Sequence, residues 1–214
     1  FLPGGWALLS RQILQLIKTK QLLEVGQITM LAIYTIIAIG SQDATFYQVM
    51  LLVSVVFVTN TESLENELKR HYIYLIPDHN FKKLMAAQAI TFIRTFMYSV
   101  VSFVILIIFF KEPVVAALMF ALNLCVITLL YQAIQTLVLR FLGLTKNMIL
   151  SMFLKITIYF VVLIPNGLVI SFLVLFLGYP LESILWIPLV LNAVLALLIL
   201  YGARGVVDGA GIAD

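Results

Sequence analysis

The feature that most constrains this chain is a series of apolar runs, each about as long as a membrane-spanning helix. A helix needs roughly 20 apolar residues to cross the hydrocarbon core of a bilayer. The 214 residues are 63% apolar and 11% charged, whereas soluble domains are about 45–50% apolar and about 25% charged. These values exclude a water-soluble globular domain and predict an all-α, polytopic membrane protein.

We predict six transmembrane helices within residues 25–202. The apolar runs cover about 25–40, 44–61, 85–110, 114–141, 148–177 and 186–201. Only Ser41-Gln42-Asp43 separates the first two runs, which predicts a tight helical hairpin.

The fifth run contains a break, Pro165-Asn166-Gly167. Either residues 148–177 form one kinked helix, or the span ends at Ile164 and a short outer helix follows. The second alternative predicts an outer hairpin at about 165–187.

The two ends of the chain differ from the spans. Residues 1–24 have the apolar and polar spacing of an amphipathic helix, which fits either a helix in the membrane interface or a surface helix packed on its own protein. From Gly202 the tail has four glycines, and we expect residues 203–214 to be a poorly ordered cytoplasmic tail.

Basic residues predict the orientation in the membrane. Six spans place both termini and the loops at 62–84 and 143–147 on one side, and ten of the thirteen Lys and Arg residues fall there. These ten are Arg11, Lys18, Lys20, Lys69, Arg70, Lys82, Lys83, Arg140, Lys146 and Arg204. By the positive-inside rule this side is cytoplasmic. Arg94 and Lys155 lie inside spans three and five and are expected to reach the headgroups.

The sequence lacks the motifs of several enzyme classes. It contains no GxxxxGK[ST] phosphate loop, no HExxH motif and no GxSxG elbow. The chain is therefore predicted not to be an enzyme, with no catalytic residue, metal site or cofactor of its own. A net charge of +3 is too weak to indicate nucleic acid. All carboxylates lie at ends or loops, which argues against ion-coupled transport.

Neutral polar residues lie in the middle of the fourth span. Asn123, Thr128 and Gln135 fall on one side of a helical wheel. They either line a pathway or form hydrogen bonds between neighbouring helices.

The loop at 62–84 is the most informative segment. Three acidic residues precede an aromatic and aliphatic cluster, a Pro-Asp turn and an apolar, basic restart. Such a segment is suited to a groove on a soluble partner, with tyrosines as anchors. The alternative is a membrane-surface helix held by its tyrosines.

Glu67-Leu-Lys-Arg-His-Tyr-Ile-Tyr-Leu-Ile-Pro77, followed by Phe81-Lys-Lys-Leu84, resembles the coupling segment of bacterial ABC-2 type exporter permeases. In that family an amphipathic connecting helix precedes span one, and a short coupling helix between spans two and three contacts the ATPase. Ile76 stands where the family commonly has Leu. The resemblance assigns the ATPase contact to nine residues: Glu67, His71, Tyr72, Tyr74, Leu75, Ile76, Pro77, Asp78 and Phe81.

The resemblance also implies partners and a location. It implies an ABC ATPase subunit that carries ATP and Mg, and a second permease half, which is the same or a related chain. It places this chain in a bacterial cytoplasmic membrane as a multi-pass protein with both termini cytoplasmic. It also implies export of an amphipathic or hydrophobic substrate, which is a peptide, a lipid-linked molecule or a drug-like molecule. The permeases of that group are longer, and because this chain begins at Phe1 rather than Met, we expect further residues before it.

Two other classes remain open on the sequence. An energy-coupling importer subunit also has about six spans but needs a preformed polar pocket for a vitamin. A non-transporting membrane scaffold would share the spans and would not change the activity of an ATPase.

Overall fold

The computed structural model describes residues 6–19, 23–58, 62–69, 73, 76–143, 148–178 and 184–209. Within these ranges the regular structure is α-helical throughout, as predicted. The helices are α1 (Trp6–Thr19), α2 (Val25–Ser41), α3 (Ala44–Val58), α4 (Glu62–Leu68), α5 (Asn80–Phe110), α6 (Val114–Leu142), α7 (Met148–Leu175), α8 (Trp186–Ala203) and α9 (Val206–Gly209).

Among the described residues, four helices are long and apolar enough to cross a membrane, namely α5, α6, α7 and α8. Helices α2 and α3 are also apolar but have 17 and 15 residues. At 1.5 Å per residue they rise about 23–26 Å, slightly less than a hydrocarbon core of about 30 Å. The structure therefore supports four spans, and the six-span arrangement remains a prediction.

The α2–α3 hairpin is built by two residues at its turn. Gln42 adopts a left-handed conformation with φ of 53° and ends α2. The Asp43 carboxylate then accepts the N–H groups of Thr45 and Phe46 at 2.8 and 3.2 Å, which satisfies two unpaired donors at the start of α3. This tight turn is the one predicted from the residue types.

Helix α6 is the centre of the fold. It packs most extensively against α8 and α5, and it also contacts α3 and α7. Every residue from Leu130 to Thr136 is buried, because neighbouring helices surround this part of α6 on all sides. Helix α7 is the opposite case, since only Tyr159 and Asn166 are buried among its described side chains.

Helix α7 is continuous through Pro165, so residues 165–175 belong to the helix rather than to the predicted outer hairpin. Proline lacks the N–H that would bond the carbonyl one turn earlier. At the next position, the buried Asn166 amide donates to the Asn192 side-chain oxygen on α8. A polar contact between α7 and α8 thus lies directly beside the proline.

The beginning of the tail is ordered, contrary to expectation. Helix α9 contacts α5 and α6, and Val206 and Val207 are only 2% and 0% exposed. Gly205 permits this packing, because a Cβ at that position would lie 3.3 Å from the Arg140 guanidinium. Residues 210–214 lie outside the described ranges.

Helix α1 has features of both predicted interpretations. Leu8 and Gln12 are buried, and the Gln12 amide donates to the Ala87 carbonyl of α5 at 2.8 Å. Ile13 and Ile17 remain 39% and 62% exposed. One side of α1 therefore packs on the protein, while another side presents apolar residues that suit a membrane interface.

Candidate functional site

The candidate site is the segment 62–84, which begins with α4. Leu64, Leu68 and Ile73 are at most 1% exposed, and α4 packs against α5. Leu64 and Leu68 are one helical turn apart, so they turn one side of α4 towards the core. The described part of the segment is therefore anchored on α5.

Glu67 joins this segment to α1. Its side chain is 6% exposed and forms an ion pair with Arg11, whose side chain is 34% exposed. A carboxylate so deeply buried needs a cation and hydrogen bonds to remain charged. In this conformation Glu67 is engaged within the chain, which makes it a positioning residue rather than an exposed contact for a partner.

The turn of the segment is more accessible. Pro77 and His79 are exposed, whereas Ile76 and Asp78 are half-buried. The Asp78 carboxylate pairs with Lys82 at 2.7 Å, one helical turn later, and it accepts the His79 N–H at 2.8 Å. These contacts hold the turn at the start of α5, where His79 is the N-cap residue.

Phe81, also assigned to the ATPase contact, lies against another span. Its ring centroid is 5.8 Å from that of Tyr201 near the end of α8. The aromatic pair joins the first turn of α5 to the last turn of α8. The remaining assigned residues, His71, Tyr72, Tyr74 and Leu75, lie outside the described residues, so their contact with an ATPase stays a prediction.

The three polar residues predicted within α6 have different surroundings. The Thr128 hydroxyl donates to the Leu124 carbonyl of its own helix at 2.6 Å. The Asn123 amide bonds the Met119 carbonyl at 3.0 Å and approaches the Leu185 carbonyl before α8 at 3.4 Å. Gln135 is 4% exposed. The Asn123 amide thus reaches beyond its own helix, to the residue before α8.

Further links between helices come from residues outside this set of three. The Gln88 amide of α5 donates to the Thr136 hydroxyl of α6, and the Gln132 amide of α6 donates to the Thr95 hydroxyl of α5. All four side chains are buried. Gln88 and Thr95 are seven residues apart, and Gln132 and Thr136 are four apart. Each pair therefore lies on one helix face, a spacing that could have identified them.

Two further polar contacts join α5 to other helices. Ser54 of α3 and Tyr98 of α5 share a hydrogen bond of 3.1 Å. Arg94, expected to reach the headgroups, instead forms an ion pair with Glu24, the residue that caps α2. Helix α5 is thus tied to α2, α3 and α6 by polar side chains, as is common in helices that pack within a bilayer.

Within the described part of the chain, no three His, Cys, Asp or Glu residues are grouped so that they could hold a metal ion. The single cysteine, Cys125, is half-buried on α6.

Comparison with known proteins gives one match. A family model described as "Putative ABC exporter" covers residues 1–210. No curated protein matches the chain. No solved structure matches it either.

Proposed function

The chain belongs to the ABC exporter family, and on that basis we propose that it is the membrane-spanning permease of an ATP-driven, ABC-2 type exporter. The observation that carries the proposal is the family match, which covers nearly the whole chain. Four long apolar helices agree with a membrane component of such an exporter.

The proposed topology has six spans, with α2 and α3 as the first two, in a bacterial cytoplasmic membrane. The distribution of Lys and Arg supports cytoplasmic termini, because ten of thirteen lie on the side of the termini. The left-handed turn at Gln42 supports a hairpin that returns directly to that side.

A separate ABC ATPase subunit, which binds ATP and Mg, would contact the coupling segment 62–84. The exposed Pro77 and His79 support a docking surface at the turn. Burial of Leu64 and Leu68 supports transmission of motion, because a partner that displaces this segment would displace α5 with it.

A second permease half, the same or a related chain, would complete the pathway. Amphipathic or hydrophobic molecules are the proposed substrates, since the described helices contain no buried cluster of charged side chains that would suit an ionic substrate. As the permease of such an exporter, this chain would leave ATP hydrolysis to its partner.

The six-span proposal makes a clear labelling prediction. In a Cys125→Ser background, we expect Ser41→Cys to react with a membrane-impermeant maleimide from outside the cell. Glu112→Cys, in the loop between α5 and α6, should react in the same way. Lys69→Cys should react only after the membrane is permeabilised. If α2 and α3 do not cross, Ser41→Cys will behave like Lys69→Cys, and the chain has four spans.

Transport itself is tested through the ATPase. Hydrolysis by the partner ATPase, measured in proteoliposomes, should be stimulated several-fold by a panel of amphipathic peptides and hydrophobic drugs only when this chain is present. A scaffold would leave the hydrolysis rate unchanged across the whole panel, and that result would contradict the permease assignment.

A further inference from the structure

An apolar groove runs along the surface where α5, α6 and α8 meet. Its volume is about 390 Å³, and its lining is almost entirely apolar. The lining includes Met85 and Phe96 of α5, Cys125 and Leu129 of α6, and Ala193 and Leu200 of α8. Because all three helices are candidate spans, the groove lies at membrane depth.

The groove extends to one end of these helices. Met85 lies near the start of α5 at Asn80, and Leu200 lies near the end of α8 at Ala203. Cys125 is close to the middle of α6. The groove therefore runs from the middle of the membrane to the side on which the chain ends. By the orientation proposed above, that side is cytoplasmic.

Two arginines lie at the same end of these helices. Arg204 follows Leu200 by four residues, and Arg140 follows Leu129 by eleven. Four residues are about one helical turn, so Arg204 continues the α8 face that lines the groove. The α6 face between Leu129 and Arg140 is buried by neighbouring helices, and Arg140 instead reaches the end of α8. The Arg204 guanidinium lies 4.1 Å from the centroid of the Tyr201 ring, and Arg140 donates to the Gly202 carbonyl.

The charges of these arginines are not matched by the ion pairs that the structure describes. Those pairs join Arg11, Lys82 and Arg94 to carboxylates, and neither Arg140 nor Arg204 belongs to them. A guanidinium has five N–H donors, so the bond from Arg140 to one carbonyl leaves donors for another ligand. The end of the groove is consequently a positive site beside an apolar channel.

We propose that the groove holds an acyl chain of an anionic phospholipid whose phosphate is bound by Arg140 and Arg204. A groove within the bilayer must be filled by apolar atoms, because an empty one forfeits the contacts of its lining. Basic pockets between spans at the cytoplasmic surface bind anionic headgroups, and guanidinium groups match phosphate oxygens in geometry. The proposed orientation decides only which leaflet supplies this lipid, and with that orientation it is the cytoplasmic leaflet.

The proposal can be tested without an ATPase, so its failure is separate from failure of the exporter assignment. The purified chain is placed in bilayers that contain phosphatidylglycerol or phosphatidylcholine with the same diazirine-bearing acyl chain. After illumination, mass spectrometry locates the labelled residues. Each arginine near the surface favours an anionic lipid by about fivefold. We therefore expect phosphatidylglycerol to label the groove at least about fivefold more than phosphatidylcholine.

Helix α7 supplies an internal reference. Phe160 and Phe172 are exposed on its surface, and both lipids should label them equally. The variant with Arg140→Gln and Arg204→Gln should reduce the preference in the groove to about one. Ala193→Phe, which fills the groove, should lower labelling there by both lipids. Its neighbour Val194 is 48% exposed and does not line the groove, so Val194→Phe is the matched control.

Equal labelling of the groove by the two lipids would overturn the proposal, as would a preference that survives loss of both arginines. Should the double arginine variant fail to fold, the wild-type ratio and the comparison of Ala193→Phe with Val194→Phe still decide the question.

Discussion

Replacing Arg11 with glutamate is expected to detach α1 from segment 62–84 and to lower the free energy of unfolding by about 2 kcal/mol. The wild-type ion pair neutralises Glu67, whose side chain is only 6% exposed. In Arg11→Glu a second carboxylate would face it, and a buried charge without a cation is costly. The estimate lies below the value for a fully buried pair because the Arg11 side chain is 34% exposed. Unfolding of the detergent-solubilised chain measures the change.

A variant with both charges reversed distinguishes loss of the ion pair from other destabilising effects of the Arg11 substitution. The double variant with Arg11→Glu and Glu67→Arg should recover at least half of the lost stability. Lys82→Gln is the matched control, since it breaks a pair one turn apart in the same segment that is worth about 0.5 kcal/mol or less. If Arg11→Glu is as stable as the wild type, or if the double variant is no more stable than the single variants, the ion pair does not stabilise the fold.

Tyr74→Ala is expected to weaken binding of the ATPase by about 30-fold while the spans remain inserted. A tyrosine at the centre of an interface commonly contributes about 2 kcal/mol, which corresponds to that factor in Kd. Pro77→Ala should have a smaller effect in the same direction, because it only loosens the turn. Co-purification of the ATPase in mild detergent, titrated against its concentration, provides the measurement.

Pro113 offers a control for this prediction. It is exposed in the loop between α5 and α6, on the opposite side in the proposed topology, so Pro113→Ala should leave ATPase binding unchanged. If Tyr74→Ala binds the ATPase as tightly as the wild type, segment 62–84 is not the coupling segment, and its interpretation as a membrane-surface helix becomes the better one.

Local features of the fold were predictable because their physical causes are local. The length of the apolar runs predicts long helices, and Gln42-Asp43 has the residue types of a turn and an N-cap. Val206 and Val207 show the limit of composition: neighbouring glycines suggested a poorly ordered tail, but two adjacent valines are enough to dock α9.

Contacts between distant residues could not be predicted in the same way. Arg94 and Glu24 are 70 residues apart, and only the packing of α2 against α5 brings them together. The polar faces of α5 and α6 can be identified by spacing, but the register that pairs Gln88 with Thr136 depends on how the two helices pack. Likewise, Pro165 alone suggests a break, whereas the structure continues α7 through it and pairs the next residue, Asn166, with Asn192 on another helix.

The most direct test of the exporter account is to isolate this chain from its native membrane in mild detergent and to identify the retained proteins by mass spectrometry. The account predicts an ATPase with a phosphate-binding loop, together with a second permease or a second copy of this chain. Retention of no ATPase, with none captured by crosslinking in the intact membrane, would contradict it.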